Sequence, residues 1–259
     1  MYCFGPRNIR DMSFRQLKKL FYLFHHRGAR AVVLTGGEPL VRDDFQKIIK
    51  ELKENKLKVF LDTNGDFFFK YRDLISQYVD VLGLPIDFSD RSYRSKNNFK
   101  KVLKILDYYK NLKRRPTIRI GTVVTKDNFK KLDKIGQLLR NYSVDIWKLY
   151  QFTPQNINAV RNRVSLEIPQ EQFNRAVQGV KDKFSKYFRV VISRREYQNR
   201  AYFFVNPDGT VFMPIDDLDV CREKKIGNIF DKNIVAKWRK FISKSNYINN
   251  AKVTFNYKF

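Results

Sequence analysis

Cysteine and histidine are both scarce in this chain, which contains 2 of each among 259 residues. Cys3 and Cys221 are too few to form a disulfide framework in a chain of this length. His25 and His26 are adjacent and cannot build a zinc site by themselves. The composition therefore argues against a disulfide-stapled secreted scaffold and against a zinc domain made of cysteine and histidine ligands.

Long apolar runs are also absent, and none approaches the roughly 20 residues needed to span a bilayer. Residues 1–7 lack the basic and then apolar layout of a signal peptide. We therefore expect a cytoplasmic protein without a transmembrane segment. With 23 Phe and 14 Tyr, the chain can still bury a sizeable core.

Acidic residues are few relative to basic ones: 26 Asp and Glu face 52 Lys and Arg, for a net charge of +26. One interpretation is a polyanionic partner such as nucleic acid, a nucleotide or an anionic membrane surface. The other is a lysine-rich surface without a specific partner. Basic pairs are dispersed along the whole chain, and this favours the second interpretation over a concentrated nucleic-acid footprint.

Strand-like apolar segments alternate with helix-like segments over the first part of the chain. The predicted strands are 31–34, 58–62, 79–86, 117–124 and 145–152, and the predicted helices are 13–26, 45–55, 72–77, 99–112 and 129–141. Short connections between such units favour right-handed crossovers and a parallel sheet or part of a barrel. We therefore predict an α/β fold.

After residue 155 the pattern changes, so we predict a domain at 1–155 and an extension at 156–259. The extension begins with a polar loop around 156–162 and continues with a helix over 169–183 and a strand over 189–193. Residues 201–205 and 210–213 flank a Pro-Asp-Gly turn and predict a β-hairpin. A last helix includes Trp238.

The carboxyl ends of the predicted strands carry polar or glycine residues. The most informative of these segments is Thr35-Gly36-Gly37-Glu38-Pro39, which follows the strand 31–34. Two glycines let the backbone turn sharply and let a ligand approach it closely. The later strand ends contribute Asn64, Asp87, Thr125-Lys126 and Thr153. Because βα folds build their sites at this rim, we expect a functional site there.

The same residues carry a family resemblance. Tyr2-Cys3, followed at this distance by Gly36-Gly37-Glu38-Pro39, resembles the radical S-adenosylmethionine (SAM) superfamily. That family holds a [4Fe–4S] cluster with three cysteines in the pattern C-x-x-x-C-x-aromatic-C, in which Cys3 is the third cysteine and Tyr2 the aromatic residue. The resemblance implies a partial (β/α)6 TIM-type barrel lacking its first strand, with a C-terminal α+β extension.

The first two cysteines of the pattern would lie before Met1, so we expect the chain to be truncated within the cluster motif. Either the protein begins further upstream, which we favour, or the gene is truncated and its product is inactive. Thiolate ligation is general for iron–sulfur clusters, so a chain with Cys3 alone would lack two of the three ligands.

Within the superfamily, the segment Ile146-Trp147-Lys148-Leu149-Tyr150-Gln151-Phe152 is similar to a strand of the viperin-like SAM-dependent nucleotide dehydratases. Segments 84–99 and 118–128 also resemble strands of that branch. A departure is Gly5-Pro6, where animal members commonly have His-Thr. A second pattern, at 206–211, Cys221, 226–229 and Trp238, is similar to the SPASM and twitch extensions of peptide-modifying members. Those extensions bind auxiliary clusters with several cysteines. Because one thiol cannot hold a cluster, we interpret Cys221 as an ordinary residue.

The resemblance implies two cofactors, the [4Fe–4S] cluster and SAM, and also an electron donor. Glu38 and the Gly36-Gly37 backbone would hold the amino group of SAM. Asn64 and Asp87 are candidates for ribose or methionyl contacts, with turn chemistry as the equal alternative. The remaining candidate contacts are Thr122 and Thr125 on the adenosine side, and Arg119, Lys126 and Lys148 for substrate phosphates.

Three functions follow from these patterns. The first is a radical SAM enzyme that forms a 5′-deoxyadenosyl radical and acts on a nucleoside triphosphate, as viperin-like dehydratases do. The second is a radical SAM enzyme that modifies a peptide or RNA. The third is a truncated, non-catalytic remnant or basic binding protein. For Lys148 the sequence leaves two orientations open, one toward a substrate phosphate and one toward solvent at the edge of a strand.

Overall fold

The structure is a computed structural model that describes residues 9–88, 96–217 and 220–255. The predicted cluster ligand Cys3, its neighbour Tyr2 and the segment around Arg91–Arg94 lie outside the described residues. No helix in the described ranges is both long enough and apolar enough to cross a membrane.

One parallel sheet of six strands forms the framework, with its strands in chain order. The strands are β1 (Ala31–Leu34), β2 (Lys58–Asp62), β3 (Val81–Pro85), β4 (Thr117–Val124), β5 (Ile146–Gln151) and β6 (Arg189–Ser193). The predicted α/β fold class is therefore confirmed. The strand at 189–193, predicted within the extension, joins this sheet because it follows a helix and completes one more βα unit.

Eight helices of the described chain precede β6, and two follow the last strand. They are α1 (Phe14–His26), α2 (Phe45–Glu54), α3 (Phe68–Tyr78), α4 (Lys96–Tyr109), α5 (Leu132–Leu139), α6 (Ile157–Arg161), α7 (Arg163–Leu166), α8 (Gln170–Phe184), α9 (Ile234–Arg239) and α10 (Lys244–Phe255). Short 3-10 turns occur at Pro39–Val41, Phe129–Lys131 and Glu196–Gln198.

Apolar spacing explains which helix faces are buried. In α2 the buried apolar side chains are Phe45, Ile48, Ile49 and Leu52, which recur at the period of one helix face. The central strands need no alternation because parallel sheets are covered on both sides. Residues 59–61 and 81–84 are accordingly all buried.

A second sheet of three antiparallel strands follows, made of β7 (Phe204–Val205), β8 (Thr210–Asp217) and β9 (Val220–Asn228). Its first turn uses Gly209 at φ +85°, and the Gly209 N–H donates to the Asn206 carbonyl at 2.9 Å. A side chain at this φ would be strained, so the glycine of the predicted Pro-Asp-Gly turn is required by the backbone. The predicted hairpin is therefore confirmed as β7 and β8.

Three elements of the C-terminal region differ from the sequence prediction. The predicted polar loop at 156–162 contains α6, because the Asn156 side chain caps this helix by accepting from the Ala159 N–H at 2.9 Å. Strand β9 was missed because its Arg-Glu-Lys-Lys run, residues 222–225, shows no apolar alternation. Helix α10 was missed because its asparagines break the apolar period.

The contacts divide the chain into two compact units. One unit contains Phe14–Leu149 and Pro169–Val191, and the other contains Met1–Ser13, Tyr150–Ile168 and Ile192–Phe259. Helix α8 thus belongs with the first five strands, where the ring of Phe184 packs against Gly136 of α5. The domain boundary at 155/156 stays a prediction.

Candidate functional site

The turn after β1 exposes its backbone. Gly36 has φ +118°, and both Gly36 and Gly37 are exposed. Apart from the glycine itself and its two chain neighbours, no atom of the described residues lies within 4 Å of a Cβ placed on either glycine. The polar groups of this backbone are therefore open to a ligand at the carboxyl end of the strand.

Glu38 joins the carboxyl ends of two neighbouring strands. Its Oε1 accepts from the Thr63 hydroxyl at 2.7 Å and from the Leu40 N–H at 3.1 Å. Its Oε2 accepts from the Asn64 N–H at 2.7 Å. A carboxylate offers about four lone-pair sites, and three are used here. The predicted contact of Glu38 with the amino group of SAM therefore competes with a structural role, and it stays a prediction.

Asn64 itself stabilises the turn after β2. Its Oδ1 accepts from the Asp66 N–H at 2.8 Å, which forms an Asx turn. Gly65 follows at φ +86°, and its N–H donates to the Thr63 hydroxyl at 3.0 Å. The turn alternative for Asn64 is thus present in the structure, and its contact with a ligand stays a prediction.

Asp87 connects the carboxyl ends of β3 and β4. Its Oδ1 accepts from the Val123 N–H at 2.8 Å. Asn128 supports the same junction: its Nδ2 donates to the Asp87 carbonyl at 3.0 Å and to the Val123 carbonyl at 2.8 Å. Its Oδ1 accepts from the Thr125 N–H at 2.9 Å. Sequence reasoning assigned no role to Asn128, because its distant partner Asp87 becomes a neighbour only when the two strands pair.

Thr122 lies on the face of β4 that packs against helix α8 and the segment after it. It is fully buried, and its hydroxyl donates to the Ile86 carbonyl at 2.5 Å and accepts from the Trp147 indole N–H at 2.9 Å. Trp147 in turn contacts Phe184 and Phe188 edge to face. Both hydroxyl functions of Thr122 are used inside the fold, and Thr125 is also buried. These positions do not favour the predicted adenosine contacts of the two threonines.

A row of residues, charged at both of its ends, crosses the face of the sheet opposite to Thr122. Asp62 of β2 pairs in register with Gly83 of β3, and Gly83 pairs with Arg119 of β4. Because glycine has no side chain, the Asp62 carboxylate reaches across β3 and forms an ion pair with the Arg119 guanidinium. Sequence reasoning missed Asp62 and Gly83, because the register of neighbouring strands cannot be seen in one sequence.

Lys148 of β5 belongs to the same charge cluster. It follows Trp147 in the strand and therefore points to the opposite face. It is 3% exposed, so the orientation toward solvent is wrong. Burial lowers the pKa of Lys148 to about 7; the positive charge of Arg119 lowers it further, and Asp62 acts in the opposite direction. We call Asp62, Gly83, Arg119 and Lys148 the charged row.

The third predicted phosphate ligand differs from the other two. Lys126 is exposed in the turn that follows β4, whereas Arg119 and Lys148 are buried. Of the predicted substrate residues, the structure therefore brings Arg119 and Lys148 together and leaves Lys126 at the surface.

The 2 cysteines among these 259 residues are too few to supply the three thiolate ligands of a complete cluster site. Cys221 lies opposite Asp216 in the C-terminal sheet, and burial, with a smaller effect of Asp216, raises the pKa of its thiol to about 12. A protonated thiol is a poor cluster ligand, because thiolates bind the iron. Within the described ranges, no group of three or more His, Cys, Asp or Glu side chains is arranged to hold a metal ion. The exposed Gly36-Gly37 backbone, by contrast, is compatible with the amino group of SAM.

Comparison with known proteins gives a consistent result. A family model described as "Radical SAM superfamily" matches residues 1–139. The chain is 24% identical over 205 residues to the "Probable GTP 3',8-cyclase" of Pyrococcus horikoshii, with 75% of this chain and 62% of that protein aligned. The chain therefore spans less than two thirds of that relative's length.

Two solved structures share the fold. Streptococcus suis SuiB bound to SAM superposes with a TM-score of 0.69 at 15% identity, covering 96% of this chain and 65% of that one. Native anSMEcpe with bound AdoMet and a peptide also superposes with a TM-score of 0.69, at 17% identity, covering 95% of this chain and 79% of that one. At these identities the likeness establishes the fold alone.

Proposed function

Because the chain belongs to the radical SAM superfamily, we propose that it binds SAM at the Gly36–Glu38 turn and acts on an anionic substrate, a nucleoside triphosphate. The family uses a [4Fe–4S] cluster and SAM. When bound, these cofactors supply the chemistry that removes hydrogen from a substrate. The residues of this chain would bind and orient the SAM amino group and the substrate anion.

The charged row is the observation that carries the proposal. Arg119 and Lys148 are each 3% exposed, and the Asp62 carboxylate acts on both of them. Burying two cations in one cluster lowers the stability of the fold, and perturbed groups of this kind cluster at functional sites.

A nucleotide is the substrate class that we favour. The curated relative named above is a probable GTP 3',8-cyclase, and phosphates suit a site made of one guanidinium and one ammonium group. The relative's name points to nucleotide cyclisation rather than to the dehydration of viperin-like enzymes. We therefore propose the nucleotide class and leave dehydration as one reaction within it.

A peptide substrate is the second candidate. SuiB bound to its precursor peptide SuiA aligns with 100% of this chain, and anSMEcpe bound to AdoMet and a peptide aligns with 95% of it. The curated relative aligns with 75% of it. Because both of these neighbours bind peptides, we favour a peptide over RNA, and an electron donor would be needed for either enzyme.

Binding, rather than turnover, tests the proposal, because these residues do not include a full set of cluster thiols. We would titrate the 259-residue chain with SAM and, separately, with GTP, ATP and tripolyphosphate by calorimetry. The expected result is saturable binding of the triphosphates, weakened at least tenfold in Lys148→Met. Lys134→Met, which removes an exposed lysine of α5, is the matched control and should bind like the wild type.

Three outcomes distinguish the alternatives. Equal triphosphate binding by wild type and Lys148→Met would contradict the anion site. SAM binding without triphosphate binding would favour a peptide substrate. Failure to bind either SAM or triphosphate would favour the non-catalytic remnant.

A further inference from the structure

Asp62 occupies the accessible end of the charged row. Its side chain is 35% exposed, whereas that of its partner Arg119 is 4% exposed. Asp62 also stands at the carboxyl end of β2, one residue before Thr63, whose hydroxyl donates to Glu38. A ligand that approaches Arg119 from the side of Asp62 therefore meets this carboxylate first.

Gly83 makes this arrangement possible. A Cβ on Gly83 would lie 2.6 Å from Arg119 Nη2 and closer still to Asp62 Oδ1. Such contacts are far shorter than van der Waals distances, so any side chain at Gly83 would force the pair apart. The space above β3 is thus filled by the two charged groups of its neighbouring strands.

The Asp62 carboxylate is chemically similar to the anions that Arg119 is suited to bind. A guanidinium group pairs with carboxylates and with phosphates through the same fork of N–H donors. A substrate anion must therefore compete with Asp62 for Arg119, and it also meets the negative charge of Asp62. A singly charged anion gains too little from Arg119 alone to displace Asp62, whereas a polyphosphate can contact Lys148 as well.

We propose that Asp62 is a specificity-determining residue: it is an internal counter-anion that holds Arg119 until a polyphosphate replaces it, and it excludes small singly charged anions. This inference rests on the proposed anion site. It adds that the site is occupied by the protein's own carboxylate in the absence of substrate, and that the affinity for anions is limited by Asp62.

Removing the charge of Asp62 separates this role from a structural one. Besides burial, the pKa of Lys148 is lowered by Arg119 from β4 and raised by Asp62 from β2. Without the Asp62 charge, the pKa of Lys148 should fall and the loss of anion binding should shift to lower pH. A carboxylate that merely supported the fold would produce the same shift, but its removal would not tighten the binding of anions.

The test is the affinity of the full chain for tripolyphosphate and for inorganic phosphate, measured by calorimetry at constant ionic strength from pH 6 to 8.5. Asp62→Asn keeps the size of the side chain and removes its charge. It should bind tripolyphosphate at least tenfold more tightly, bind inorganic phosphate measurably, and show a lower pH midpoint. Asp73→Asn changes the net charge equally on the exposed surface of α3, where Asp73 is 86% exposed, and should behave like the wild type.

The possible results separate the two proposals. If neither wild type nor Asp62→Asn binds tripolyphosphate, the anion site itself is wrong. If wild type binds and Asp62→Asn binds equally or more weakly while its melting curve is normal, the role of Asp62 is overturned. Asp62→Ser, a smaller neutral variant, replaces Asp62→Asn in the same comparison if the amide variant does not fold.

Discussion

At the scale of single residues, Lys148 combines a proposed role in anion binding with a penalty to the stability of the fold. Burial, followed by the charge of Arg119, lowers its pKa from 10.5 to about 7. Protonated lysine in such surroundings destabilises the folded state, since the ammonium group loses its hydration. A neutral apolar side chain of similar length would fill the same space without that penalty.

The first prediction is that Lys148→Met stabilises the protein most at low pH. Below pH 7 both folded and unfolded chains carry the proton, so the full penalty of the buried charge is present. Between about 7 and 10.5 the unfolded chain binds more protons, so the free energy of unfolding of the wild type rises with pH by up to about 1.4 kcal/mol per unit. The variant has no titratable group at this position, so its free energy of unfolding lacks this rise with pH. We expect it to be roughly 1–4 kcal/mol more stable at pH 6, with the advantage shrinking toward pH 9.

Urea unfolding of both proteins from pH 6 to 9 measures this difference. Lys134→Met is again the control, because an exposed lysine should contribute no comparable pH-dependent difference in this range. A stability difference that stays constant from pH 6 to pH 9 would show that Lys148 does not titrate near 7 in the folded protein.

At the scale of secondary-structure elements, the carboxyl ends of the strands are fastened to each other in pairs. Glu38 links β1 to β2 through Thr63 and Asn64, and Asn128 links β3 to β4. These side chains order the loops next to the backbone that we propose binds SAM. Loops held by a few polar contacts are also the parts of a fold that open most readily.

The second prediction concerns Glu38→Gln. The amide nitrogen cannot accept, so at least one of the three hydrogen bonds to Glu38 must be lost. Since hydrogen bonds to charged groups contribute about 1.5–3 kcal/mol, we expect lower stability by roughly that amount. We also expect faster hydrogen exchange at the Asn64 amide and weaker SAM binding. Glu54→Gln, at an exposed position in α2, is the control, and unchanged exchange at Asn64 would refute the linking role.

Element positions were largely predictable from the sequence. Strands Ala31–Leu34, Lys58–Asp62, Thr117–Val124 and Arg189–Ser193 have the predicted bounds, because short apolar runs between turn residues are strong local signals. Helix starts were less accurate: α3 begins at Phe68 rather than at residue 72. Its extra turn is set by Phe68, which is fully buried by tertiary packing that no local pattern reports.

The site was predictable only in part. Gly36 and Gly37 carry a local signal, since a turn with open backbone needs small residues. The partners of Glu38 are 25 and 26 residues away, at Thr63 and Asn64, so no local pattern reveals them. The Asp62–Arg119 pair depends on the register of three strands and on the missing side chain of Gly83. In the sequence, Gly83 is simply one residue of an apolar run.

At the scale of the whole molecule, the net charge of +26 allows two different kinds of anion binding. Exposed lysines and arginines attract any polyanion, and salt screens them strongly. Arg119 and Lys148 are buried, and buried charges are screened much less. The dependence of binding on salt should therefore separate the general surface charge from the charged row.

The third prediction is that heparin and tripolyphosphate respond differently to salt. Between 50 and 200 mM salt, a polyanion held by several surface cations should lose on the order of a hundredfold or more in affinity. Tripolyphosphate at the charged row should lose roughly tenfold or less in affinity, because its main contacts are buried and few.

Calorimetric titrations of the full chain at several salt concentrations, with Lys148→Met alongside, measure how the affinity for each of the two polyanions depends on salt. The variant should lose tripolyphosphate affinity and keep that for heparin. If tripolyphosphate instead shows the steep salt dependence and is indifferent to Lys148→Met, it binds the dispersed surface charge, and the charged row is a structural feature of the sheet.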